Sequence, residues 1–161
     1  MKKYVLVILF LIFILPIPSM GDNGSFNTIS GIWWCSDSSS CLHEMGHRLD
    51  WEANWYSNKP EFRDIVSSYL TAEIKKSPSD MAGNIMVFLV ADANQNGASG
   101  TTLEIMTYNG TYVYNPTRFT SAELYANIFA WSDGKAENMP EAFRKFYDFR
   151  RADELIEKYA R

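Results

Sequence analysis

Only two histidines occur in this sequence, and they stand four positions apart with a glutamate directly after the first: His43-Glu44-Met45-Gly46-His47. On a helix that spacing stacks both imidazoles on one face, one turn apart, where they can converge on a single tetrahedral metal ion, and zinc is the ion this pattern suits. Glu44, beside the first imidazole, is placed to act as a general base on a water in the open coordination position. Two randomly placed histidines would stand so, with a glutamate after the first, with odds of roughly one in a thousand, so an accidental surface pair is the weaker reading. Gly46 fits the same picture. A helical glycine costs about 1 kcal/mol relative to alanine and is best understood where another backbone or the metal site needs room.

A catalytic zinc takes three protein ligands and leaves the fourth position open. No histidine remains, so the third must be a carboxylate. Asp50, one turn after His47, is too close on one straight helix to join the ligand set easily and better suits an acceptor for an imidazole N–H. Glu123 is the expected third ligand, a carboxylate near a helix start with the small Ala126 close by to let the motif helix approach. The same residue also completes the capping pattern Thr120-Ser121-Ala122-Glu123, which needs no metal. Glu104 and Glu73 are the reserves.

The two segments His43-Glu44-Met45-Gly46-His47-Arg48-Leu49-Asp50 and Ser121-Ala122-Glu123-Leu124-Tyr125-Ala126-Asn127-Ile128-Phe129-Ala130 resemble the gluzincin branch of the zincin metallopeptidases. Within it they are similar to the anthrax lethal factor-like and Pro-Pro endopeptidase group, which carries an HExGH-x-x-D helix and a later Glu-aromatic-aromatic-Ala helix. The resemblance covers these two short segments. It implies a zinc endopeptidase with one zinc ion on His43, His47 and Glu123, Glu44 as base, and a peptide or protein substrate. In that group a tyrosine upstream of the glutamate ligand polarises the scissile carbonyl. Tyr114, with Tyr112 second, stands in that position, and a cross-strand aromatic is the alternative role. The contrasting expectation for the whole chain is a zinc-stabilised extracellular binding or structural domain without turnover.

These side chains need elements to hold them. Leu42, Met45, Leu49 and Ala53 recur at helical spacing and predict a helix from about Ser40 to Tyr56. Pro60 opens a second helix to about Lys75, with Phe62, Ile65, Val66, Tyr69 and Leu70 on its buried face. The apolar stretch Asn84 to Ala91 reads equally as a buried strand or as the end of a helix. Thr102 to Asn115 is a β-hairpin turning at Asn109-Gly110, and its edge could hold an extended substrate by main-chain pairing. The capping pattern at Thr120 then opens a helix with Leu124, Ile128, Phe129 and Trp131 on its apolar face. Pro140 begins the last helix, in which Phe143, Phe146, Tyr147, Leu155, Ile156 and Tyr159 are expected to pack. The fold class is α+β, a small zincin-like domain, mostly helical, with the hairpin between the two ligand-bearing helices.

The first twenty-one residues differ sharply from the rest. Lys2 and Lys3 precede an apolar run from Tyr4 to Ile17 that ends in Pro16 and Pro18, the pattern of a secretory signal peptide with cleavage after Gly21. The run is about fourteen residues, short of the roughly twenty that span a bilayer, and an uncleaved membrane anchor is the alternative. Either way the chain is expected to be secreted or held at the cell surface. A polar linker follows at 22–30, with a glycosylation sequon at Asn23, and a single domain occupies 31–161. The formal charge of −4 becomes −6 without Lys2 and Lys3. No stripe of lysine and arginine is present, which argues against nucleic acid as a partner. Cys35 and Cys41 bracket a five-residue loop and are expected to form a disulfide in an oxidising compartment. A thiolate metal pair is the rival reading. Asp92 to Gly97 resembles half a calcium loop, but its twelfth position is Leu103, so calcium is not expected there.

Overall fold

Asp37 starts the motif helix. Its carboxylate accepts from the Ser40 N–H at 2.9 Å, and the Asp37 N–H donates in return to the Ser40 hydroxyl, so two otherwise orphaned donors are satisfied. Helix α1 therefore spans Ser38–Glu52 and begins two residues earlier than expected. It stops before Tyr56 because Asn54 and Trp55 both turn left-handed, at φ 56°, ahead of a 3-10 turn at Tyr56–Asn58. The computed structural model describes residues 24–76, 86, 89–90, 92–93, 105–108, 111–114 and 116–159. The leader at 1–21, the hairpin tip Asn109-Gly110, most of Asp92–Gly97, Glu104 and the side chains of Glu73 and Tyr112 lie outside the described residues.

Upstream of α1, residues expected to belong to a polar linker instead form a strand. β1 (Gly24–Phe26) pairs antiparallel with β2 (Trp33–Cys35), Phe26 opposite Trp33 and Gly24 opposite Cys35. The turn between them is built by Asn27, whose side-chain oxygen accepts from the N–H groups of Ile29 and Ser30, and by Gly31 at φ 67°. Strands this short and half-buried carry no alternation for a sequence pattern to reveal. Cys35 and Cys41 are joined by a disulfide, with Cα atoms 5.0 Å apart. The bridge fastens β2 to the first turn of α1.

Helix α2 (Pro60–Lys76) begins at its proline as expected, and Phe62, Val66 and Leu70 are fully buried on one face. The ambiguous stretch near 84–91 resolves as helix at its described positions, 86, 89–90 and 92–93. Met86, Leu89, Val90 and Ala93 are all buried, the three- and four-residue spacing of one helical face. The hairpin β3 (Ile105–Tyr108) and β4 (Thr111–Tyr114) pairs Ile105 with Tyr114 and Tyr108 with Thr111. It lies on α2, where the Tyr114 N–H donates to Ser67 Oγ at 2.8 Å.

Helix α3 (Arg118–Trp131) is capped by Thr117, whose hydroxyl accepts from the Thr120 N–H. The cap therefore lies three residues before the expected one, and Glu123 falls in the second turn rather than at a capping position. The last helix divides in two, α4 (Glu141–Arg144) and α5 (Phe149–Tyr159). Asp148 interrupts it by accepting from the Arg151 N–H at 3.0 Å, which caps a new helix and lets Phe143, Phe146 and Tyr147 all face inward.

The core is aromatic. Phe62 meets Tyr125, Phe143 and Phe146 with ring centroids 5.6, 6.2 and 5.2 Å apart. The Tyr125 hydroxyl donates to the Phe146 carbonyl at 2.6 Å and the Tyr147 hydroxyl to the Tyr125 carbonyl at 2.8 Å, so both buried phenols are satisfied. The C-terminal helix returns to α1 through Arg151, which donates to both oxygens of Glu52. Because Phe62 joins three rings from two other segments, Phe62→Ala is expected to cost about 3–5 kcal/mol. Exposed Glu61→Ala should stay within about 0.5 kcal/mol, both read by chemical denaturation.

Candidate metal centre

The centre exists because α1 and α3 cross closely at Gly46. A Cβ built there would stand 3.2 Å from the Ala126 Cβ and 2.7 Å from its Cα, the latter closer than carbon atoms approach without displacement. A glycine facing an alanine thus lets the backbones touch, the reason for which both residues were singled out in the sequence. Glu123, one turn before Ala126, is carried by that contact to the two imidazoles of α1.

His43 Nε2 lies 3.3 Å from Glu123 Oε2, and His47 Nε2 lies 3.3 Å from Glu123 Oε1. The two Nε2 atoms are 3.1 Å apart. A tetrahedral zinc with bonds of about 2.0–2.1 Å has ligand-to-ligand edges of about 3.3–3.4 Å. The two nitrogens stand close to this spacing and each faces a different Glu123 oxygen at 3.3 Å, so the three side chains converge closely enough to share one ion. His43, His47 and Glu123 form a possible metal-binding triad. No family model, curated protein or solved structure matches this chain. The arrangement is compatible with an HExxH zincin, and it rests on the chain's own geometry.

Electrostatics holds the three groups together without an ion. Burial alone would raise the Glu123 carboxyl, but hydrogen bonds from His43 and His47 hold it down to about 2. Burial alone would likewise lower His43, and the neighbouring Glu123 carboxylate reverses this and raises it. A cleft of about 1060 Å³ opens over the triad, and Glu44 lines it beside His43 and His47.

Three further groups shape the site, and sequence spacing did not single them out for it. Asn127, one turn after Glu123, engages the His43 side chain, while its amide donates to Asp92 Oδ2 at 2.9 Å and towards the Leu89 carbonyl. Its position four after the ligand glutamate was the available signal. Phe26 of β1 stacks on His47 with centroids 6.1 Å apart. Gly24 lies so close to Glu44 that a Cβ there would be 2.8 Å from Glu44 Cγ. β1 is thus one wall of the cleft.

Two expected roles are corrected. Asp50 is fully buried, but its oxygens accept from the Ser57 N–H at 2.9 Å and the Ser57 hydroxyl at 2.6 Å. It anchors the turn after α1, with no hydrogen bond to an imidazole among those of the described residues. Tyr114 lies in the core at 3% exposure, and its hydroxyl donates to the Thr120 carbonyl at 3.4 Å. Strand β4 places it beneath α3, so it does not line the cleft, and its observed role is in the hydrophobic core.

Gly46→Ala should drive α1 from α3 and lower zinc affinity at least about tenfold, with a smaller effect on helix content, since triad geometry is lost before the core is. Competition titration with a chromophoric chelator, alongside circular dichroism, checks this. The pH response follows from the two shifts. The lowered Glu123 stabilises the metal-free fold above its ordinary 4.5, and that contribution is lost as pH falls towards about 2. The raised His43 stabilises it below 6.5, and that contribution is lost as pH rises through its folded value. The triad therefore supports metal-free protein best from about pH 4.5 to 6.5. Zinc needs unprotonated imidazoles, so its effect on Tm should be larger at about pH 8 than at about pH 5.5. An equal shift at both would contradict this assignment.

Proposed function

We propose that this chain is an exported zinc-dependent endopeptidase, with His43, His47 and Glu123 holding the metal and Glu44 as general base. The observation that carries the reading is the convergence of His43 Nε2, His47 Nε2 and the Glu123 carboxylate, at separations of 3.1, 3.3 and 3.3 Å, with Glu44 on the same cleft. A zinc ion bound there supplies Lewis acidity that activates water at neutral pH and polarises the scissile carbonyl. Glu44 takes the proton from the attacking water and delivers it to the leaving amine. Its burial at 7% exposure keeps bulk water from competing for that proton.

An extended substrate is supported along β1 rather than along the 102–115 hairpin, which packs on α2. β1 lines the cleft, and its second edge has no strand partner among the described residues, a geometry suited to main-chain pairing. Export is supported by the leader's composition and by the Cys35–Cys41 disulfide, a bond that persists in oxidising compartments. Among the described residues no helix is long and apolar enough to cross a membrane.

Zinc stoichiometry and peptide-library digestion test the proposal. Wild type should bind one zinc and cleave. Glu44→Gln should keep zinc and lose about 10²–10⁴-fold in rate, and Glu123→Ala should lower zinc affinity far more than Glu104→Ala. Zinc binding with no cleavage of any peptide would favour the zinc-stabilised binding domain, and equal rates in Glu44→Gln and wild type would remove Glu44 from the chemistry.

A further inference from the structure

Along the cleft α3 presents Phe119, Glu123, Asn127 and Trp131, and beside this stripe stands Arg118, the one lysine or arginine among the described residues lining it. The acids there are engaged. Glu44 and Glu123 belong to the proposed centre, Asp37 caps α1, and Asp92 accepts from Asn127. Arg118 is exposed, and none of the ion pairs among the described residues includes it. Its guanidinium lies over the Trp55 ring at 5.1 Å.

Trp55 is held at φ 56°, ψ 61°, a left-handed conformation uncommon for a bulky side chain. Its N–H donates to the Asp50 carbonyl at 2.7 Å, and the Asp50 carboxylate in turn is fixed by Ser57. Strained positions of this kind persist only where surrounding contacts over-determine them, and they cluster at ligand clamps. Here the strained residue sets an indole face under a guanidinium. The cation–π contact holds the guanidinium over the indole, and its N–H groups suit a planar, bidentate acceptor.

Resting on the endopeptidase reading, we propose that Arg118, seated on Trp55, is a subsite for a substrate carboxylate, carried either by an acidic side chain or by the peptide's C-terminus. Arg118 stands five positions before Glu123, about 7.5 Å along the helix axis, the reach of about two extended residues. The carboxylate is therefore selected about two residues from the bond that is cut. Arg118 is the one cationic side chain among the described residues lining the cleft, so side-chain selectivity for a carboxylate concentrates at this one position.

Digestion of a peptide library by the purified zinc-loaded protein and by Arg118→Gln, Arg118→Glu and Trp55→Leu tests this, with circular dichroism to verify folding. Wild-type products should be enriched in Asp or Glu about two residues from the cut, on one side only. Arg118→Gln should lose the enrichment, Arg118→Glu should replace it with Lys or Arg, and Trp55→Leu should weaken it. On the best acidic peptide, Arg118→Gln should lower kcat/KM at least about tenfold, and on its Glu→Gln counterpart less than about threefold. C-terminal amidation separates the two sources, since loss of preference on amidation alone assigns it to the α-carboxylate. Cleavage without acidic preference, or with the same preference in Arg118→Gln, overturns the proposal. If no peptide is cleaved, the endopeptidase reading fails and the subsite is judged by calorimetric binding of an acidic hexapeptide against its Gln counterpart. A difference abolished by Arg118→Gln supports it, and equal binding overturns it.

Discussion

The contact between Gly46 and Ala126 is the constraint on which the rest of the molecule depends. The motif helix can offer two imidazoles to one ion by its own periodicity, but it cannot bring a carboxylate to complete the set. That group comes from a helix some eighty residues later, which approaches closely because Gly46 faces Ala126. Removing one Cβ and limiting the other to a methyl solves the distance problem locally. The surrounding aromatic core then fixes the rotation of α3, because the two phenols of Tyr125 and Tyr147 are tied to carbonyls and admit little twisting.

Burying a carboxylate against two imidazoles would be costly without compensation. The arrangement supplies it from within, since Glu123 is shared between both rings through its two oxygens. Metal binding would replace a proton-mediated attraction by coordination at nearly the same positions. The three side chains of the possible triad are thus held close together by their own contacts, which limits the reorganisation that binding an ion would require.

Much of this was legible in the sequence, and the parts that were not have physical reasons. The motif helix, α2, the hairpin and the choice of Glu123 followed from periodicity, proline, Asn-Gly and the lack of further histidines. The disulfide followed from two cysteines in a chain with a leader-like start. β1 did not, because a three-residue half-buried strand has too few positions for alternation to show. The cap of α3 was misplaced by three residues because Thr117 and Thr120 carry the same hydroxyl, and only the backbone geometry tells which is outside the helix. Asp50 and Tyr114 were misassigned for another reason. Spacing along one element says which face a residue occupies, not which neighbour reaches it first. Ser57 reaches Asp50, and the roof formed by α3 covers Tyr114.

The return of α5 to α1 bears on how the molecule assembles. Arg151 and Glu52 are 99 residues apart in the chain, and Phe146, Tyr147 and Leu155 complete the same core that begins at Met45. Contacts of such long range are entropically late, because the intervening loop must close before they reward it. Before α5 has formed, α1 can already meet α3 and α2 can meet the hairpin, but the core still lacks Leu155 and the ion pair from Arg151 to Glu52. The crossing that seats Glu123 is thus made by elements encoded before α5, and α5 adds the outer closure of the same core.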